Sequence, residues 1–149
     1  MVKVEEAAVI APERLGGWGT VLQVQMQFEN RGDAPIHIFT DLLQVVGESG
    51  SRGTVREFRD HYRMQQARTG DEEKRRGFEA MFAGVGIPGG QVRELADVQI
   101  AVLPGQVLQR SLLFLLKGDR TDTRYALDFA YHDDATDRIT RLNLPVKAK

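Results

Sequence analysis

The chain has 149 residues, of which 42% are apolar and 28% are charged, and its formal net charge is -1. A chain of this length is about the size of one domain and buries roughly two-thirds of its unfolded surface. The absence of cysteine excludes disulfide frameworks, thiol nucleophiles and zinc ribbons. The balanced charge does not indicate nucleic-acid binding, and no apolar run reaches the ~20 residues of a membrane-spanning helix. We therefore expect a single domain over residues 1–149 without a nucleic-acid partner or a membrane span.

Alternation of apolar and polar residues predicts strands along most of the chain. Residues 2–10 are strand-like, and residues 22–29 alternate strictly, which is the period of a strand with one face in water. Residues 36–46 predict a third strand. Residues 107–116 begin with a mixture of polar and apolar residues, and the second half is apolar on both faces of the predicted strand. This pattern indicates a strand in the middle of the structure. The remaining predicted strands include residues 98–102, 125–131 and 142–146.

Turn residues separate these predicted strands. Asn30, Gly32 and Pro35 lie between the second and third, and Pro104 and Gly105 precede the strand at 107–116. About seven short strands with such turns predict a mainly β chain that forms an antiparallel β-sandwich or a β-barrel. The expected core residues are Phe28, Phe114, Leu127 and Phe129.

A helical insert at about residues 51–90 interrupts this pattern. Thr54 with Glu57, and Thr69 with Glu72, have the spacing of a capping box, in which the two side chains bond the first free amides of a helix. We expect two short helices that pack across one end or one face of the sandwich. The apolar faces would consist of Val55, Phe58 and Tyr62 in the first helix, and of Phe78, Met81 and Phe82 in the second.

Three groups of residues in the strand portion occupy turn and core positions with a recognisable spacing. They are the Asn30-Arg-Gly32 turn with Pro35, Pro104-Gly105 before the strand with Phe114, and Tyr125-Ala-Leu127. With these residues, the strand portion resembles a bacterial group of immunoglobulin-like domains of unknown function. The resemblance covers residues 20–46 and 102–132 and omits the insert. It implies an immunoglobulin-like antiparallel β-sandwich of about seven strands, and it implies an extracytoplasmic location, often in lipoproteins. The chain contains no lipidated Cys and begins without a hydrophobic leader. We therefore expect an extracytoplasmic protein if a leader was removed before Met1, and a cytoplasmic one otherwise.

No catalytic or cofactor-binding residues are predicted. The segment with Ser49 and Ser51 lacks the closing glycine and the strand-turn-helix setting of a nucleophile elbow. The histidines, His37, His61 and His132, are far apart, so that only the fold could assemble a zinc site from them. His37 alternates with two isoleucines and is predicted to be a solvent-facing strand residue. We therefore predict that the protein is not an enzyme and carries no cofactor.

Aspartates in two predicted loops suggest a cation site as an alternative. Calcium requires several oxygen ligands at once, but the spacing does not match an EF-hand loop. The two loops should also fall at opposite ends of the strand at 124–132, so ordinary solvated turns are the preferred interpretation. The residues concerned are Asp119 and Asp122 in one loop, and His132, Asp133, Asp134 and Asp137 in the other.

Four arginines in the insert are the predicted partner-binding residues. They recur at intervals of four, three and four, which stacks them on one side of a helix as a stripe of like charge. Such a stripe could bind an anionic partner, or it could be a solvated face neutralised by Asp60. The four residues are Arg52, Arg56, Arg59 and Arg63.

The sequence therefore favours a non-enzymatic immunoglobulin-like module that acts in protein interaction or in structure. The predicted partner is another protein, which the sequence does not identify, and the oligomeric state is left open. A ligand- or calcium-binding sandwich that uses the Asp-rich loops is the alternative.

Overall fold

The computed structural model describes residues 1–11, 19–68, 72–84, 86, 99–117 and 121–149. This part of the chain is mainly β, with two helices between the fifth and sixth strands. The strands are β1 (Val2–Ile10), β2 (Val21–Glu29), β3 (Ile36–Phe39), β4 (Gln44–Gly47), β5 (Arg52–Thr54), β6 (Gln99–Val102), β7 (Val107–Lys117), β8 (Arg124–Asp133) and β9 (Arg138–Lys147). The helices are α1 (Val55–Arg68) and α2 (Glu72–Ala83), and a 3-10 turn covers Thr40–Leu42.

The strands of the described residues form one continuous antiparallel sheet that folds into two layers around one core. One layer has the order β1-β2-β7, and the other contains β9, β8, the collinear pair β3 and β4, and β6. Phe28 of the first layer stacks on Phe129 of the second with ring centroids 5.6 Å apart. Together with Phe114 and Leu127, these rings are fully buried, which confirms the predicted core. The predicted antiparallel sandwich with a helical insert is confirmed.

The described residues contain nine strands rather than about seven. Residues 36–46 were expected to be one strand, but the 3-10 turn at Thr40–Leu42 divides them into β3 and β4. Both halves pair with β8, at Tyr131–Asp133 and Tyr125–Asp128 respectively. The other strand that the sequence did not predict is β5. It is too short to show an alternation of apolar and polar residues, and it lies where the helical insert was expected to begin.

Strand β5 joins the two layers at one edge. It pairs with β4 of one layer and with β7 of the other, so its three residues are hydrogen-bonded on both sides. Gly53, in its middle, lies so close to β7 that a Cβ atom there would be 2.8 Å from the Leu115 carbonyl oxygen. At the opposite edge, the Lys149 amide donates to the Ala7 carbonyl at 3.0 Å, which connects the end of β9 to β1.

Helix α1 begins directly after β5, at the predicted cap. Thr54 Oγ1 accepts a hydrogen bond from the Glu57 amide at 3.0 Å. Val55, Phe58 and Tyr62 are buried as expected, and Phe58 and Tyr62 pack edge-on against Phe82 of α2. Because α1 contacts both β7 and the 3-10 turn, it covers the edge between the two layers. The predicted cap at Thr69 and the side chain of Phe78 lie outside the described residues, and Met81 is half-buried.

Asn30 connects the turn between β2 and β3 to the turn between β6 and β7. Its side-chain amide donates to the carbonyl oxygens of Ala34 at 2.8 Å and of Val102 at 2.9 Å, and its Oδ1 accepts from the Gly32 amide at 3.0 Å. Its backbone carbonyl accepts from the Gly105 amide at 2.8 Å. Asn30 is buried, so its side-chain amide depends on these bonds in place of hydrogen bonds to water.

Replacement of Gly53 by Ala should destabilise the protein, since the new methyl group would press on the β7 backbone. We expect a loss of about 1–3 kcal/mol in the free energy of unfolding, measured by urea denaturation. Gly77→Ala is the matched control, because Gly77 lies in the interior of α2 with open space around it. This variant should gain about 0.5–1 kcal/mol from helix propensity. A loss at both positions, or at neither, would contradict this account of β5.

Replacement of Asn30 by Asp should also destabilise the protein, because a carboxylate has the same shape but cannot donate to two buried carbonyls. We expect a loss of about 2–4 kcal/mol at pH 7. The other asparagine of the chain, Asn143, bonds Asp128 at 3.0 Å on the exposed face of β9. Asn143→Asp should therefore cost less than about 1 kcal/mol. Equal losses in the two variants would mean that the buried hydrogen bonds are unimportant.

Candidate functional site

The structure separates the four predicted partner-binding arginines. Arg56 and Arg63 lie on the exposed face of α1, and Arg52 is exposed on β5, before the helix begins. Arg59 is only 5% exposed. The expectation that all four form one exposed stripe is therefore wrong for Arg59, which belongs to the buried face.

The geometry of the helix explains this difference. Arg59 follows Phe58 and lies four residues after Val55 and three before Tyr62, so it lies on the same side of α1 as these buried residues. A step of four residues along an α-helix is a rotation of one full turn plus about 40° around its axis. That extra rotation carries Arg63 out of the buried face and into water. The interval pattern alone cannot show which arginine faces the core.

Arg59 ties the insert to the second layer of the sandwich. Its guanidinium donates to Thr40 Oγ1 at 3.2 Å and forms an ion pair with Asp41, both in the 3-10 turn. Its Nε atom is buried without a hydrogen-bond partner. Because the charge is buried, Arg59 serves the junction between α1 and the layer and is not available to a partner.

The exposed face of α1 combines two arginines with an apolar side chain. Arg56 Nε lies 3.9 Å from Asp60 in an exposed pair, a distance and setting at which such pairs contribute little. Arg63 and Met64 follow on the same face, and Met64 is 45% exposed. We refer to Arg56, Asp60, Arg63 and Met64 as the outer face of α1.

A second cluster of polar side chains lies where β8 ends. His132 Nδ1 is 3.0 Å from Asp134 Oδ1, and His132 Nε2 is 2.9 Å from Asp137 Oδ1. Asp134 Oδ2 is in turn 3.0 Å from His37 Nε2 on β3. The register of β3 and β8 places His37 opposite His132, with ring centroids 6.4 Å apart. His37 is therefore paired and half-buried rather than simply solvent-facing. We refer to His37, His132, Asp134 and Asp137 as the His-Asp network.

The network changes the protonation equilibria of two of its members. The hydrogen bond with Asp137 raises the pKa of His132 above its ordinary value of 6.5, and Asp134 acts in the same direction. The hydrogen bond with His37 lowers the pKa of Asp134 below its ordinary value of 3.8, with a further contribution from His132. Both shifts favour the charged forms of His132 and Asp134, so these two side chains attract each other as opposite charges.

A third polar cluster lies at the other end of β8. Asp122 accepts hydrogen bonds from Ser49 Oγ at 2.6 Å and from Ser51 Oγ at 2.5 Å, which lowers its pKa below 3.8. A side chain at Gly47 would collide with this carboxylate. The Asp122 amide donates to the Tyr125 hydroxyl at 3.0 Å. These contacts order the two adjoining loops, and the base that the two serines face is a carboxylate of lowered pKa.

The Asp-rich loops do lie at opposite ends of β8, as the sequence predicts. Asp122 is bound to the serines, whereas Asp134 and Asp137 are bound to histidines about 30 Å away along the strand. Asp119 lies outside the described residues, and Asp133 accepts a hydrogen bond from the Ala135 amide in the hairpin turn. Among the residues that the structure describes, no group of three or more metal-ligating side chains is arranged to hold an ion.

Comparison with protein families, with curated proteins and with solved structures finds no match to this chain. Neither helix of the described part is long and apolar enough to cross a membrane.

Replacement of Arg59 by Ala should cost about 2–4 kcal/mol of unfolding free energy, because Asp41 and Thr40 lose their partner and a gap opens under α1. Arg56→Ala makes the same chemical change on the outer face, and it should alter stability by less than about 0.5 kcal/mol. Both values can be measured by urea denaturation. Similar losses in the two variants would refute the division of the arginines into a buried and an exposed group.

Proposed function

We propose that the protein is a non-enzymatic immunoglobulin-like interaction module that binds an acidic surface of another protein through the outer face of α1. The observation that carries this proposal is the division of α1 into two faces. One face, with Val55, Phe58 and Arg59, is buried against the rest of the protein. The other places Arg56 and Arg63 in water beside the exposed Met64.

The composition of the outer face supports this proposal. Arginine and methionine are both enriched in the cores of protein interfaces, where the guanidinium pairs with carboxylates and the flexible thioether fills gaps. Arg56 Nε lies 3.9 Å from Asp60 in an exposed pair, so little attraction is lost if a carboxylate of a partner takes the place of Asp60. Arg52, exposed at the start of β5, would extend the positive surface beyond the helix.

The polar clusters elsewhere support a role without catalysis. Ser49 and Ser51 donate their hydroxyl hydrogens to Asp122, and the lowered pKa of this carboxylate makes it a weak base for the activation of a nucleophile. His132 could serve as a base, but its two nitrogen atoms are both engaged by carboxylates. Each of these groups is paired within the protein instead of being directed into a cleft.

Charge reversal on the outer face tests the proposal. The variant with Arg56→Glu and Arg63→Glu should lose the partner that the wild-type protein captures from a lysate of its source cells, with little change in Tm. Like charges would then face each other across the interface, whereas exposed charges contribute little to folding. The captured protein is identified by mass spectrometry, and its binding should weaken as salt is raised.

The matched control reverses two exposed arginines on the second layer, Arg124 at the start of β8 and Arg138 at the start of β9. This variant has the same net charge, so it should retain the partner. Loss of the partner in both variants would indicate a nonspecific effect of charge and would contradict the proposal. Retention in both would mean that α1 serves only to close the sandwich.

A further inference from the structure

The His-Asp network requires one proton more than a neutral histidine supplies. A neutral imidazole carries one N–H group and one lone pair, whereas an ionised carboxylate can only accept hydrogen bonds. His132 has a carboxylate oxygen at hydrogen-bonding distance from each of its two nitrogen atoms, at 3.0 and 2.9 Å. Both nitrogens must therefore donate, which means that this arrangement holds His132 as an imidazolium ion.

We propose that the β8–β9 hairpin contains a pH-sensitive clamp, in which protonated His132 holds Asp134 and Asp137 together and loss of its proton releases the tip of the hairpin. Asp134 extends the clamp to His37, so the closed form connects the hairpin turn to both β8 and β3. The clamp is distinct from the outer face of α1 and does not depend on the function proposed for that face.

The groups around His132 agree with this assignment. Asp134 and Asp137 come from the turn, and His37 is its register partner on β3. On β9 its register partner is Ile139, and Arg141 follows on the same face.

The facing residues of β6, Ala101 and Gln99, carry no charge. On β8 itself the next residue of this face is Ala130, and Phe39 of β3 packs edge-on against the imidazole.

Loss of the proton leaves one carboxylate without a donor. A neutral His132 can donate to Asp134 or to Asp137, and the remaining carboxylate then faces a nitrogen lone pair. Asp137 is the group that can leave, since its side chain is 94% exposed and it has a left-handed backbone with φ of 51°. We therefore expect its carboxylate to turn into water, with the pairing of His132 with Ile139 retained.

The direction of the pH effect follows from the two shifted groups. The pKa of His132 is raised, so its contacts contribute fully below pH 6.5 and are lost as the pH rises through the raised value. The pKa of Asp134 is lowered, so its contribution is present above pH 3.8 and is lost as the pH falls through the lowered value. The clamp should be closed between these limits and should open on the alkaline side.

An NMR titration of the whole chain tests the clamp. The protein has three histidines, of which His37 and His132 belong to the network and His61 lies on α1. We expect the imidazole signals of His132 to titrate with a midpoint above 6.5. The backbone amides of residues 134–137 should shift with the same midpoint, and their heteronuclear NOE values should fall as the pH rises through it. A His132 midpoint at or below 6.5, or turn amides that do not respond at that midpoint, would overturn the proposal.

Asp137→Asn is the decisive variant, because asparagine has the same shape, tolerates a left-handed backbone and carries no charge. It should lower the His132 midpoint toward 6.5, and the shifts of the turn amides should follow the new midpoint. Asp33→Asn is the matched control, since it removes one exposed carboxylate from the turn between β2 and β3. An unchanged His132 midpoint in Asp137→Asn, or an equal decrease in Asp33→Asn, would refute the clamp.

Discussion

The hydrogen bonding of β5 to both layers is the constraint on which the rest of the structure depends. Its pairing with β4 and β7 closes one edge of the sandwich, and Gly53 permits the close approach. Since α1 starts at the next residue, the helix must lie across that same edge. Its apolar side then completes the core, and Arg59 is carried inward to the 3-10 turn. The outer face proposed to bind a partner is what remains exposed.

Three polar clusters order the ends of the sandwich, and they differ in how they depend on protons. Asn30 is satisfied by neutral backbone groups, and Asp122 by two hydroxyl groups. Neither needs a group that titrates near neutral pH. The His-Asp network does need such a group, because His132 must be charged to donate hydrogen bonds to two carboxylates. A change in pH across the neutral range therefore acts on the hairpin tip and spares the ends that Asn30 and Asp122 maintain.

Much of the fold could be predicted because its signals are local. Strict alternation in residues 22–29 identified β2, and the spacing of Thr54 and Glu57 identified the start of α1. The division of residues 36–46 could not be predicted, since the 3-10 turn is held by Arg59 from a distant helix. The burial of Arg59 itself was missed because regular spacing places residues on a helix without showing which side meets the core. The sequence did contain a signal for this burial, since Arg59 directly follows Phe58, which lies on the apolar side of the helix.

By itself, the sequence determined the class of the fold, the position of the insert, the turns and the main core residues. These depend on side-chain periodicity and on backbone preferences within a few residues. Only the tertiary structure decided which charged groups meet between elements that are distant in the chain. His37 and Asp134 are 97 residues apart, and the pairing of β3 with β8 brings them within 3.0 Å. Such contacts depend on strand register and on packing between elements, and no local pattern in the chain encodes them.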